Sequence, residues 1–93
     1  MIVGTIIIRM YAPWVSSLKE KRMAVKSIVA KVQNKFHVAI AEVEEQDTLQ
    51  TIVLGLACVA GTVRQADSIL VHIIGFIEEN TEAEITDIQR ELR

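Results

Sequence analysis

From Ser16 to Phe36 the apolar residues recur at helical spacing. Leu18, Val25, Ile28, Val29, Val32 and Phe36 fall in one stripe about 100° wide, the width of a helix packed on a core. Ser17 with Glu20 three positions on forms a capping box, in which the hydroxyl accepts from an orphan backbone N–H and the carboxylate reaches back. Lys19, Arg22 and Lys26 line one flank of the stripe, and Lys31 and Lys35 the other. Met23, Ser27, Ala30 and Asn34 form the outermost ridge.

On either side of this helix the period changes. Ile2 to Met10 is isoleucine-rich, too short for a helix, and predicts a strand with Ile6, Ile8 and Met10 towards the core. Thr5, Ile7, Arg9 and Tyr11 take the other face. Pro13 ends that strand, because it has no N–H for a ladder. Trp14, the sole tryptophan, either staples the helix entry or sits half-exposed, and packing is the favoured reading. Phe36 to Val43 alternates Phe36, Val38 and Ile40 against His37, Ala39 and Ala41, which predicts a second strand. Glu44-Glu45-Gln46-Asp47 reads as an acidic turn. Leu49 to Ala60 is apolar on both faces, as a central strand is. It sets Ile52, Leu54, Leu56 and Cys58 against Val53, Gly55, Ala57 and Val59.

Thr62 and Gln65 make another capping box and open a second helix. Its stripe is Val63, Ala66, Ile69, Leu70, Ile73, Phe76 and Ile77. Gly75 inside it suggests a close helix–helix approach, and Asn80 a left-handed cap. Ala83 to Leu92 reads as a polar edge strand.

The order is strand–helix–strand–strand–helix–strand, with a faint internal echo at a spacing of 45: Ser17 matches Thr62, and Ile40-Ala41-Glu42-Val43 resembles Ile85-Thr86-Asp87-Ile88. Two such halves give a ferredoxin-like βαββαβ fold of class α+β, one domain over residues 1–93. Right-handed crossovers set both helices on one face of a four-stranded antiparallel sheet, in the order 4-1-3-2.

Composition narrows the function. The chain is 51% hydrophobic, yet no apolar run approaches the ~18–20 residues of a membrane span. The start, Met-Ile-Val-Gly-Thr, has no basic leader. One cysteine, Cys58, allows no internal disulfide and no cysteine-bound cluster, and fits the reducing cytoplasm. The net charge of −2 conceals a split, with +6 over residues 1–40 and −8 over residues 41–93. Either two faces of opposite sign result, or the halves neutralise each other across the fold.

The fold supports many functions, so the side chains decide. Acylphosphatase-like hydrolysis needs an arginine in a glycine-rich loop after the first strand, and Tyr11 to Ser17 has neither. Metallochaperone activity needs paired cysteines there. An RNA-recognition motif needs aromatic side chains on the central strands, and Tyr11 alone is not such a platform. His37 and His72 are expected on opposite sides of the domain, too far apart to share a metal. Ser16 and Ser17 have no partner base and suit capping. Glu42, Glu44, Glu45 and Asp47 form an acidic patch, read as a solvated turn with the capacity to bind a cation. No catalytic group, metal site or cofactor is assigned.

Lys19, Lys21 and Arg22 break a local rule. Cations in the first turns of a helix oppose its macrodipole, at ~0.3–1 kcal/mol each. Such exceptions concentrate at functional sites. With Lys26 they suit phosphate; the alternative is a solvated face, or pairing with the acidic half.

Ser17-Leu18-Lys19-Glu20-Lys21-Arg22, the segment Ala41-Glu42-Val43 followed by Gln46-Asp47, and Leu54-Gly55 resemble the YlxP-like family of small bacterial proteins, a domain of unknown function. The resemblance covers essentially the whole chain and implies a ferredoxin-like fold. Its members are often encoded beside translation and ribosome-maturation factors, which implies an RNA- or ribosome-linked role. Where members often carry tryptophan and arginine after the Gln-Asp pair, this chain has Leu49 and Thr51.

An enzyme acting on a phosphorylated small molecule would need a catalytic group that the sequence does not offer, which leaves two functional expectations, both for a non-enzymatic cytoplasmic protein. In one, Lys19, Lys21, Arg22 and Lys26 contact the phosphates of RNA or of a ribosomal particle. In the other, the open sheet face, with Ile7, Tyr11, Val53, Gly55, Ala57 and Val59, is a homodimer or protein interface.

Overall fold

Six elements run through the computed structural model, which describes residues 1–93. They are β1 (Ile2–Tyr11), α1 (Leu18–Lys35), β2 (Ala39–Glu44), β3 (Thr51–Ala60), α2 (Val63–Asn80) and β4 (Glu84–Leu92). The sheet order is β2-β3-β1-β4 with every neighbouring pair antiparallel, the order expected from two linked βαβ halves.

Alternation along β1 sends Ile6, Ile8 and Met10 under the helices, all fully buried. β3 adds Ile52, Leu54, Leu56 and Cys58 to the same layer. Val25, Ile28 and Val32 descend from α1, and Ala66, Leu70, Ile73 and Ile77 from α2. Cys58 is a buried free thiol, as expected of a small apolar side chain in a core. Both helices start as the sequence predicts. Ser17 Oγ accepts from Glu20 N at 3.1 Å, and Thr62 Oγ1 from Gln65 N at 3.1 Å. The returning side chains reach one residue beyond the cap, Glu20 to Ser16 N and Gln65 to Gly61 N.

Some expectations are corrected. β2 and β3 each start later than the alternation suggests, so Leu49 belongs to the loop between them and is exposed. Asn80 does not adopt a left-handed cap. It ends α2, its Nδ2 donates to Phe76 O at 2.8 Å, and the chain leaves through an extended Thr81. Gly75 makes no close helix approach, because a Cβ there would meet no atom within 4 Å. The close approach is at Gly4 instead. A Cβ on Gly4 would lie 3.1 Å from both Cys58 Sγ and Leu70 Cδ1, so glycine lets α2 settle onto β1. With space to spare and an ordinary helical backbone, Gly75→Ala is expected to raise stability by roughly 0.5–1 kcal/mol. Denaturant unfolding measures this.

Candidate nucleic-acid interface

The basic helix divides into one internal lysine and five external cations. Lys21 is 1% exposed and lies among the core side chains of α1. Its Nζ is 3.0 Å from Glu42 Oε2 and donates to Thr48 O at 2.6 Å and to Glu45 O. Glu42 comes from the helix-facing side of β2, in register with the buried Leu54. Its Oε2 makes no aligned hydrogen bond, so its contact with Lys21 is an ion pair rather than a directed bond. Lys21 therefore cannot contact a phosphate, which corrects its expected role. The sequence did contain the signal: on the helical wheel Lys21 falls between Ile28 and Val32, inside the apolar stripe. At the internal spacing of 45, its counterpart is the fully buried Ala66.

This lysine holds the β2–β3 loop. Residues 45–48 form a turn closed by Thr48 N donating to Glu45 O at 3.0 Å, and Glu45 adopts a left-handed φ of 58°. The carbonyls of Glu45 and Thr48 turn towards α1, and Lys21 supplies their donor. Gln50 ties the same loop to the β1–α1 connection. Its backbone carbonyl accepts from Ala12 N at 2.8 Å, and its Nε2 donates to Pro13 O at 3.0 Å and Val15 O at 3.4 Å. Of the acidic patch, Glu44, Glu45 and Asp47 are exposed, as a solvated turn requires, and Glu42 is half-buried. Two of its carboxylates hold the chain's own cations, Glu42 with Lys21 and Glu44 with Arg9, and no cluster suited to a metal forms.

Lys19, Arg22, Lys26, Lys31 and Lys35 are all exposed, and none is within ion-pair distance of a carboxylate. Lys35 alone is engaged, its Nζ 5.5 Å from the centroid of Phe76. Lys19, Arg22 and Lys26 follow one another at steps of about one turn along one flank, so their charges act together. The acidic half does not neutralise this helix beyond Lys21.

The open sheet face differs from its expected form. Ile7, Tyr11 and Val59 are exposed, at 38%, 42% and 64%. Val53 is fully buried, although it lies outside the core beneath the helices. Its register neighbours are Arg9 and Glu44, whose side chains meet at 3.4 Å and close over it. Gly55 does not lie bare on this face. A bulge between Glu42 and Glu44 brings Val43 over it, and a Cβ on Gly55 would lie 2.8 Å from Val43 Cγ1. Ala57, half-buried, joins Ile7, Ala39, Ala41 and Val43 around a groove of about 500 Å³. β4 adds exposed carboxylates, Asp87 opposite Arg9 and Glu91 opposite Thr5. A hydrogen bond from Arg93, and its charge, hold the Glu91 carboxyl below its ordinary range.

The residues that carried the family resemblance are thus partners in space. Lys21 meets Glu42, Val43 lies over Gly55, and Gln46-Asp47 sits in the turn that Lys21 pins. Family comparison agrees: the model of a protein family of unknown function, DUF503, matches residues 3–90. The chain belongs to this family. A relative in it, the uncharacterized protein YlxP of Bacillus subtilis (strain 168), is 43% identical over 70 residues, 75% of this chain and 76% of that protein. Among solved structures, the solution NMR structure of a de novo designed protein with a ferredoxin fold superimposes with a TM-score of 0.53. It is 22% identical, covers 100% of this chain and 86% of its own, and supports the ferredoxin-like fold alone. The exposed apolar side chains outside the expected site include Trp14 and Leu49. Trp14 is 43% exposed, the half-exposed alternative, and Leu49 in the neighbouring loop is 36% exposed. No helix is long and apolar enough to cross a membrane.

Proposed function

We propose that this DUF503 protein is a non-enzymatic cytoplasmic accessory factor that binds RNA, free or in a ribosomal particle, through the exposed cations of α1. The observation that supports it is the set of five solvated, carboxylate-free cations on one helix of a chain whose net charge is −2. A surface of one sign kept on an acidic protein attracts polyanions and speeds their encounter. Lys19, Arg22 and Lys26 hold phosphates in this reading, and Lys31 and Lys35 add longer-range attraction. Lys21, being buried, drops out of the binding set.

A variant with Lys19→Ala, Arg22→Ala and Lys26→Ala is expected to lose RNA binding while unfolding at the parent's temperature or slightly above it. Relief of the macrodipole conflict at Lys19 accounts for the gain. Electrophoretic mobility of a labelled RNA at low salt, paired with thermal unfolding, measures both. Undiminished binding contradicts the proposal.

A second reading is supported by the open sheet face. Its groove and the exposed Ile7, Val43 and Val59 suit association with a protein, a second copy of the chain included. Val59 and Ile7 carry this reading in place of Val53.

A further inference from the structure

We propose that Trp14 is a stacking platform for an unpaired base, which makes the preferred ligand single-stranded RNA. This rests on the α1 reading above and adds to it the strandedness of the ligand. Trp14 is the sole tryptophan and is 43% exposed, while Ala12 and Val15 on either side are 0% and 1% exposed. The loop therefore buries two smaller residues and leaves its largest apolar side chain nearly half exposed. A tryptophan buries more area than either neighbour, so hydrophobic burial alone would place it inside.

The loop holding it is fixed rather than loose. Gln50 Nε2 donates to the carbonyls of Pro13 and Val15, the residues immediately before and after Trp14. Ala12 N is tied to Gln50 O, Val15 N donates to Ala12 O at 3.2 Å, and two residues on Ser17 caps α1. An indole presented on a pinned loop loses little further freedom on binding.

Its position selects the ligand. Trp14 precedes the Ser17 cap by three residues, at the end of α1 that bears Lys19 and Arg22. Stacking on an aromatic side chain with cations along the backbone is the chemistry of single-strand binding, and it tolerates any base. In a duplex the bases are already stacked and offer no face to an indole. The exposed carboxylates of Glu45 and Asp47, in the loop that Gln50 ties to this connection, repel phosphates. A strand stacked on Trp14 is therefore directed along α1.

Because Trp14 is the only tryptophan, its fluorescence reports on this site alone. The probes are labelled oligouridine and an RNA duplex of equal length. Oligouridine is expected to quench Trp14 saturably. Trp14→Ala is expected to weaken oligouridine binding by on the order of ten-fold and leave duplex binding unchanged, and Trp14→Phe to retain most of the affinity. Equal oligouridine affinity of parent and Trp14→Ala, without quenching, overturns the stacking role and leaves the α1 reading intact. Failure of the parent to bind either RNA, by anisotropy of the label, overturns both.

Discussion

Lys21→Ala is expected to lower stability by roughly 3 kcal/mol, the scale for removing one partner of a buried ion pair. One countercharge and two hydrogen bonds are lost together. Glu42 keeps a mostly buried carboxylate with no countercharge, and the carbonyls of Glu45 and Thr48 lose the ammonium. In a chain of this length, the expected fall in melting temperature is roughly 15 °C. Lys21→Met keeps most of the packed volume and removes only the charge, so it separates electrostatics from cavity formation. Adding Glu42→Leu to Lys21→Met should recover much of the loss, because the orphaned carboxylate goes with its partner. The turn at residues 45–48 stays unpinned in the double variant. Its amides should exchange with solvent faster than in the parent even when global stability is restored. A double variant no more stable than Lys21→Met alone contradicts the ion pair's part in the fold.

The second large effect lies on the open sheet face, where two valines on one strand should behave oppositely. Val53→Lys is expected to destabilise by roughly 3 kcal/mol, because a cation replaces a fully buried side chain beside Arg9. Val59→Lys, at a position 64% exposed, should change stability by no more than about 0.5 kcal/mol. The pair can be compared by urea denaturation. Combined with Ile7→Lys, Val59→Lys also reads out the second functional reading in sedimentation. If the face joins two copies, the parent sediments as a dimer and the variant as a folded monomer. A parent that is monomeric at high concentration contradicts self-association through this face. Equal stability of Val53→Lys and Val59→Lys contradicts the cover that Arg9 and Glu44 provide.

What the sequence made legible follows from period. The apolar alternation of β1 and β3, the stripes of both helices and the caps at Ser17 and Thr62 all depend on neighbours a few residues apart, so the fold and strand order were readable. The misplaced features depend on pairs far apart in sequence. Lys21 was read as a surface cation because its charge outweighed its place on the wheel, and its partners lie more than twenty residues on. Parity put Val53 correctly on the open face, but cover by Arg9 and Glu44 needs three strands in register. Gly55 became a seat for Val43 only through a bulge in β2, which alternation does not announce. For Trp14 the pattern left stapling and half-exposure open, and Ala12 and Val15 took the inward positions.

These corrections give the basic segment two jobs on two faces. Lys21 points inward and fixes the loops, and Lys19, Arg22 and Lys26 stay outside for phosphate. The salt dependence of RNA affinity tests that division most directly. For single strands, log K falls against log salt with a slope of about −0.7 per phosphate neutralised. The account predicts a steep slope for the parent, a slope shallower by up to about 2 for the Lys19, Arg22 and Lys26 variant, and the parent's slope for Lys21→Met measured well below its melting temperature. A slope that flattens in Lys21→Met and holds in the triple variant contradicts it.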